Sequence, residues 1–209
     1  MDQTTLNGEV VIHGEQGQVL CRATYADGVL HGLTRRYDEA QALVQSIHYQ
    51  GGLMDGKMTV LVDGALVSET DYVRGLAEGR MLTYGEQGGL TGNVAYVAGK
   101  LHGPALYYYP DGALARSAHY VQGRLEGEAR DYGMDGALLS CGAWRRGKLH
   151  GVLTQYHPHG KIREVANFVD GKLDGEVRKY DQNGVLEGAA TAAPKRDKPL
   201  AWLGKWIEG

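Results

Sequence analysis

The segment Tyr120-Val-Gln-Gly123-Arg-Leu-Glu-Gly127-Glu-Ala-Arg-Asp-Tyr132 contains the pattern that decides the fold. An aromatic residue is followed by a glycine three residues later and by a second glycine four residues after that. The same pattern begins at six other aromatic residues, at steps of 24 residues with a single step of 23: Tyr25, Tyr49, Tyr72, Tyr96, Trp144 and Phe168. A fixed period of this length is typical of a repeat array in which each unit packs on its neighbours.

A second column of tyrosines follows the second glycine by five residues, as Tyr132 follows Gly127. A further glycine follows this tyrosine by four residues in most units. Leu61 stands in the tyrosine column and Gly64 follows it by three, which accounts for the step of 23, while Gln41 replaces the glycine in another unit. Of the 13 tyrosines, 11 lie in the two columns. We therefore interpret most tyrosines as structural.

Between the columns the residues at every second position are mostly apolar, as in Leu114, Ala118 and Tyr120, with Arg116 as the charged member of this set. A period of two predicts β-strands, and the recurrent Asp-Gly and Asn-Gly pairs predict tight hairpin turns. A leucine-type column, to which Leu125 belongs, precedes the second glycine. The fold prediction is an all-β, elongated, twisted antiparallel array of about eight hairpin units, with about 16 strands at about 4.8 Å spacing and a length of roughly 75 Å. We expect the face that carries the tyrosines and leucines to be concave and packed on itself.

The repeat pattern ends after Gly184, because Ala192 stands where the next aromatic residue is expected. We predict the array over residues 1–188, a linker over 189–198 and a short C-terminal helix over 199–209. Trp202 and Trp206 lie on one face of that helix at a spacing of four residues. Repeat arrays need caps at their ends, so we interpret the helix as a cap.

Composition argues against several functional classes. The net charge is −3, which disfavours a nucleic-acid binder, and 25 carboxylates dilute the few basic pairs, which disfavours membrane binding. The stretch from Met1 to Gly17 lacks the basic and apolar regions of a secretory signal. Cys21 and Cys141 form no framework of paired spacings. We expect a reduced, cytoplasmic protein.

The polar residues form no catalytic pattern. His31, His102 and His150 share one column directly before the second glycine, and residues in one column lie about 10 Å or more apart, too far to converge on a metal ion. We interpret this column as a solvated turn position. None of the four serines lies in a nucleophile motif, and the glycines recur at the repeat period rather than in a phosphate-binding loop. We therefore predict that the protein is not an enzyme and has neither cofactor nor metal.

The 24-residue pattern resembles the MORN repeat (membrane occupation and recognition nexus), and its spacing with Asp-Gly turns is most similar to the bacterial MORN variant. The resemblance covers about residues 6–188. It implies a non-enzymatic protein-binding repeat protein, an antitoxin or immunity protein that neutralises a cognate toxin by occlusion. Eukaryotic MORN arrays imply the alternative, a scaffold or a phospholipid-headgroup binder.

Residues that the repeat does not require are the candidates for partner contacts. Tyr107 and Tyr109 flank a column tyrosine, and tyrosine is enriched at interfaces. Arg35 and Arg36 form a basic pair that is either a partner site or a solvated face. The tyrosines could instead fill space between neighbouring units. Trp202 and Trp206 are likewise candidate partner contacts if the helix is not only a cap.

Overall fold

The structure is a computed structural model that describes residues 5–190, and this part of the chain consists of β-strands and turns without a helix. The strands are β1 (Gly8–His13), β2 (Val19–Ala26), β3 (Val29–Leu30), β4 (Gly32–Tyr37), β5 (Leu43–Gln50), β6 (Leu53–Val62), β7 (Ala65–Val73), β8 (Leu76–Tyr84), β9 (Leu90–Val97), β10 (Lys100–Tyr108), β11 (Leu114–Val121), β12 (Arg124–Leu125), β13 (Gly127–Tyr132), β14 (Leu138–Arg145), β15 (Lys148–Tyr156), β16 (Ile162–Val169), β17 (Lys172–Leu173), β18 (Val177–Tyr180) and β19 (Leu186–Ala190).

All strands belong to one antiparallel sheet, and each pairs with its neighbours along the chain. The two-residue strands β3, β12 and β17 lead into β4, β13 and β18, so the 19 strands correspond to 19 − 3 = 16 strand positions. Substantial contacts are confined to strands adjacent in this meander, and within the described residues β1 and β19 do not pair with each other. The prediction of an all-β antiparallel repeat sheet is confirmed.

The glycine three residues after each first-column aromatic residue closes a two-residue turn. Gln122 and Gly123 both have positive φ angles, 52° and 79°, and Val121 pairs with Arg124 across the turn. Positive φ at both turn residues defines a type I′ hairpin, whose twist matches that of the strands. The backbone N–H of Gly123 donates a hydrogen bond to the carbonyl oxygen of Leu101 in the preceding unit, at 2.8 Å. Equivalent bonds of 2.7–2.9 Å join all seven turn glycines to the leucine-type column.

The second turn of each unit is a longer loop, and a shortened version of this loop accounts for the one step of 23 residues. Between β10 and β11, the N–H of Tyr109 donates to the carbonyl of Ala113 at 2.8 Å. Between β6 and β7 the loop is replaced by Asp63 and Gly64, both with positive φ, so the residue missing from this unit is lost in the turn. Gln41 takes the glycine position of its loop with a φ of 66° and hydrogen-bonds to the backbone of the preceding unit through its side chain.

The two aromatic columns lie on opposite faces of the sheet. Tyr120 is on the same face as Ala118, which pairs with Ala105 and is buried. In the second column, the Tyr84 hydroxyl donates to the carboxylate of Glu69 at 3.3 Å, and Glu69 points away from the face that carries its buried neighbour Thr70. We call the Tyr120 side the core face and the Tyr84 side the opposite face. The expectation that the tyrosine columns share one self-packed face is therefore wrong for the second column.

The core is a thin stripe of small side chains on the core face. The buried side chains on this face are Ala23, Thr34, Ile47, Thr70, Val94, Ala105, Ala118, Leu125, Ala129, Ala166, Phe168 and Val177. The other buried side chain, Ala115, lies at the bulge opposite Tyr107 and Tyr108. Leu125 packs with Tyr120 and Trp144 in one cluster, and Phe168 packs with Leu149 and Leu173 in another. A single sheet has no second layer to bury large residues, so stability comes from contacts between successive units.

The predicted linker and C-terminal helix lie largely outside the described residues. The last strand, β19, extends to Ala190 and thus beyond the predicted end of the array at residue 188. The predicted helix over 199–209, with Trp202 and Trp206, falls entirely outside the residues that the structure describes.

Candidate protein-binding surface

Tyr107 lies on the core face and is half-buried. It pairs with Arg116 in β11 and with Gly92 in β9. Burial raises the pKa of Tyr107 far above its ordinary value, and the neighbouring Tyr120 adds to this effect. Tyr107 points away from Tyr108, toward the packed side of the sheet, so its ring is half-buried. Its role as a partner contact stays a prediction.

Tyr109 connects two neighbouring units. It is half-buried, and its hydroxyl donates to the backbone carbonyl of Tyr132 in the next unit at 2.8 Å. Burial and then the carboxylates of Asp131, Asp111 and Asp135 raise its pKa. The equivalent residue two units later, His157, makes the same contact with the carbonyl of Tyr180 at 2.9 Å. The alternative interpretation, a residue that fills the junction between units, describes Tyr109 better than an exposed anchor does.

Arg35 and Arg36 are both exposed but lie on opposite faces of β4. Arg36 pairs with Cys21 and Gln45, on the side of the core face, whereas Arg35 pairs with Arg22 and lies on the opposite face. The two arginines therefore do not form one continuous patch.

The residue before the second glycine contacts the next unit. The side chain of Glu126 accepts a hydrogen bond from the backbone N–H of Arg146 at 2.8 Å. Equivalent bonds are made by Asn7, Asp55, Glu78 and His150, each to the first residue of the following turn. The interpretation of this column as a solvated turn position is thus incomplete. Its composition was the overlooked signal, because Asn, Asp, Glu and His can all accept a hydrogen bond.

Seven exposed side chains form a line along the turns, which we call the turn ridge. Each lies directly after a turn glycine: Val29, Leu53, Leu76, Lys100, Arg124, Lys148 and Lys172. Ridge residues lie over the turn of the next unit, since a Cβ atom built on Gly75 would be 3.7 Å from the Leu53 side chain, and one on Gly171 would be 3.7 Å from Lys148 Cβ. The ridge residues therefore follow one another along the turns, although a Cβ atom built on Gly123, the turn glycine after Lys100, would have no atom within 4 Å.

The turn ridge changes character half-way along the array. Its first three residues are apolar and strongly exposed, at 44% for Val29, 51% for Leu53 and 50% for Leu76. The last four are cations, and none of them takes part in an ion pair within the described residues. An exposed apolar stripe of this kind is typical of an interaction site.

A groove of about 400 Å³ opens beside the apolar half of the turn ridge. It lies on the core face between the rings of Tyr72 and Tyr96, and Met81 and Leu76 also line it. Ala77 stands here in the leucine-type column, where Leu125 and Leu173 fill the equivalent position in later units. The groove thus coincides with a missing side chain. Sequence reasoning missed it, although Ala77 is the small residue of an otherwise leucine and methionine column.

A second, polar depression lies on the last described turns. It has a volume of about 750 Å³ and is lined by charged and amide side chains, among them Arg163, Lys179 and Asp181. Within residues 5–190, no group of three or more His, Cys, Asp or Glu side chains is arranged to hold a metal ion. No helix of the described chain is long and apolar enough to cross a membrane.

Comparison with protein families agrees with this geometry. The MORN repeat variant matches residues 101–122, 149–170 and 173–191, and the MORN repeat matches residues 141–152. Over these residues the chain matches the MORN repeat. Each MORN variant match begins in the leucine-type column, at Leu101, Leu149 or Leu173. The earlier units have the same turn and the same bond between units as the matched ones. No curated protein matches the chain.

Proposed function

We propose that this MORN-repeat chain is a non-enzymatic protein-binding protein that neutralises a cognate toxin by occlusion. The observation that carries the proposal is the turn ridge, an exposed line that the repeat geometry fixes in place while its residues differ from unit to unit. Such a division between a fixed backbone and variable outward positions is typical of repeat proteins that bind other proteins. The proposal includes a cytoplasmic location and no requirement for a cofactor.

Occlusion is compatible with the size of the array. Sixteen strand positions at about 4.8 Å spacing extend for roughly 75 Å. A stable protein interface buries about 800 Å² on each partner, so one side of the array suffices to cover the entrance of an active site. On this proposal the array inactivates its partner by steric blockage and performs no chemistry itself.

The test is co-purification with the product of the adjacent open reading frame, together with protection of cells that express that product. We expect a stoichiometric complex and restored growth. A neighbouring product that is not toxic, or that does not bind, contradicts the antitoxin function.

A second candidate function is a scaffold or a phospholipid-headgroup binder. The observation that favours it is the line of cations Lys100, Arg124, Lys148 and Lys172, whose charges are not matched by ion pairs within the described residues. Sedimentation with vesicles that contain phosphatidylserine, compared with neutral vesicles, separates this function from toxin neutralisation. Binding to the anionic vesicles alone favours the second candidate.

Of the contact residues inferred from the sequence, Arg35 and Arg36 stay in the proposal as exposed cations, and Trp202 and Trp206 as residues outside the described chain. Tyr107 and Tyr109 stay in the proposal as half-buried residues that also make contacts between strands or units. Alanine variants of each arginine, checked for unchanged melting temperature, test whether either one contacts the partner.

A further inference from the structure

We propose that the turn ridge and the groove at Ala77 together form a binding site for an extended protein segment, which carries one large apolar side chain followed by regularly spaced carboxylates. This inference rests on the proposed protein-binding function and specifies the partner surface that the array recognises.

The groove accounts for the apolar part of the segment. Its walls are the aromatic rings of Tyr72 and Tyr96, with Met58 and Met81 as further lining. Methionine side chains are flexible and adapt to the shape of an inserted group. Because Ala77 lacks the side chain that fills this position elsewhere, the space suits a leucine or phenylalanine from a partner. The exposed Leu76 at its margin extends the apolar surface to the ridge.

The cations account for the acidic part of the segment. Lys100 lies one unit after Leu76, and Arg124, Lys148 and Lys172 follow at one cation per unit. Each unit contributes two strands and therefore advances about 10 Å along the array. A polyproline II chain advances about 3.1 Å per residue and completes one turn in three residues. One unit of the array therefore corresponds to about three residues of the partner, and every third side chain of such a segment faces the ridge. The segment should therefore present a carboxylate at every third residue after its apolar anchor.

A narrow ligand fits this surface better than a membrane does. The carboxylates of Glu126, Asp170 and Asp174 lie on the turns close to the cationic half of the ridge. A flat anionic bilayer would meet these carboxylates together with the lysines, whereas a single extended chain can follow the line of cations alone. The apolar half of the ridge likewise disfavours a nucleic-acid backbone, which presents phosphates along its whole length.

The probe is a fluorescein-labelled synthetic peptide with one leucine and glutamates at the third, sixth, ninth and twelfth positions after it, with glycine and serine elsewhere. Binding to the full-length protein is measured by fluorescence anisotropy at low salt. We expect saturable binding, and a loss of about tenfold or more when the leucine is replaced by alanine or the glutamates by lysine.

Two protein variants locate the site. Ala77→Leu restores the column side chain and fills the groove, and Lys148→Glu reverses one ridge charge at an exposed position. Each should weaken peptide binding by about tenfold. Arg178→Glu is the control, since Arg178 is an exposed cation of β18 on the opposite face, and this variant should bind within about twofold of wild type.

Melting temperatures establish that the variants are folded. We expect Ala77→Leu to melt at or above the wild-type temperature, because the added side chain occupies open space. If Ala77→Leu does not fold, Leu76→Ser at the margin of the groove replaces it with the same expected loss.

The inference is overturned if the peptide does not bind at 1 mM, or if Ala77→Leu and Lys148→Glu bind it as wild type does. It is also overturned if phosphatidylserine vesicles bind and the peptide does not. The failure of this inference can be distinguished from the failure of the proposed function. If the two variants still form the toxin complex, the protein can still neutralise the toxin, and only the binding site proposed here is ruled out. Conversely, peptide binding without any toxin partner supports the site and contradicts the antitoxin function.

Discussion

In each type I′ turn the backbone N–H groups of the two turn residues point toward the preceding unit. Individual residues of that unit accept hydrogen bonds from them. The N–H of the turn glycine, as in Gly147, donates to a backbone carbonyl, that of Leu125. The N–H of the residue before it, Arg146, donates to the carboxylate of Glu126. One side chain per unit thus completes the hydrogen bonds of the following turn, in the manner of a helix N-cap.

Replacement of Glu126 by alanine should lower the free energy of unfolding by about 1 kcal/mol, because the Arg146 N–H loses its partner. Urea denaturation measures the change. The control is Glu86→Ala, at an exposed position in the loop after β8, which should alter stability by less than about 0.5 kcal/mol. Equal effects of the two substitutions would contradict the role of Glu126 as a cap.

Tyr109→Phe tests the contact between units without removing the ring. Loss of the hydroxyl leaves the Tyr132 carbonyl without this donor, so we expect a decrease of about 1 kcal/mol in the free energy of unfolding. An unchanged denaturation midpoint would show that the hydroxyl makes no net contribution and would restore the interpretation of Tyr109 as a dispensable surface residue.

Tyr107 should make stability depend on pH in the alkaline range. Burial raises its pKa in the native state, so the native state holds the phenolic proton more tightly than the unfolded state does. Its contribution is fully present below the unfolded pKa of about 10 and is lost as pH rises above that value. The free energy of unfolding should fall more steeply above pH 10 in wild type than in Tyr107→Phe. Identical slopes would contradict the burial of this hydroxyl.

At the scale of the strand, the second glycine of the repeat lies against a side chain of the neighbouring strand in some units and faces open space in others. Gly151 has a φ of 120°, and a Cβ atom there would lie 3.1 Å from Cβ of Ala143 on β14. Gly127, at the same position of the preceding unit, has a φ of 80° and no atom within 4 Å of such a Cβ. The same sequence position therefore excludes side chains for two separable reasons.

These two glycines form a matched pair for mutation. Gly127→Ala should cost about 1 kcal/mol, from the left-handed backbone conformation alone. Gly151→Ala should cost about 2 kcal/mol or more, because the contact with Ala143 adds to the backbone term. Denaturation of the two variants side by side measures the difference, and equal losses would mean that strand β14 yields to the added methyl group.

The strands, the turns and the face of the second tyrosine column follow from the sequence, whereas the groove does not. Period-two alternation and the glycine positions predicted the hairpins of each unit. Leu101 opposes Tyr96 across the two-residue turn, and Tyr108 lies seven residues after Leu101, so alternation along β10 places the two tyrosine columns on opposite faces. The expectation of one shared face overlooked this odd spacing. The groove at Ala77 depends on which neighbours surround a small residue, and a repeat pattern alone does not specify them.

At the scale of the whole molecule, each strand depends on its two neighbours. The substantial contacts join only adjacent strands, and no pairing between β1 and β19 closes the sheet in the described part of the chain. An open array lengthens with every unit instead of growing in three dimensions.

Small-angle X-ray scattering should therefore give a radius of gyration clearly above the value of about 17 Å expected for a compact domain of this length. The protein should be measured at several concentrations, because an open edge strand can pair with another copy and raise the value. A radius at or below 17 Å would mean that the units fold back into a globule, and the estimate of about 75 Å for the array would be wrong.

The bonds between turn glycines and the leucine-type column also determine how the molecule responds to tension. Because the strands run across the long axis, a force applied at the two ends of the array acts on one strand pair at a time. The repeat units then unfold one after another, and each unfolding event releases about 24 residues of extended chain. The array therefore lengthens in steps under force and acts as an extensible tether.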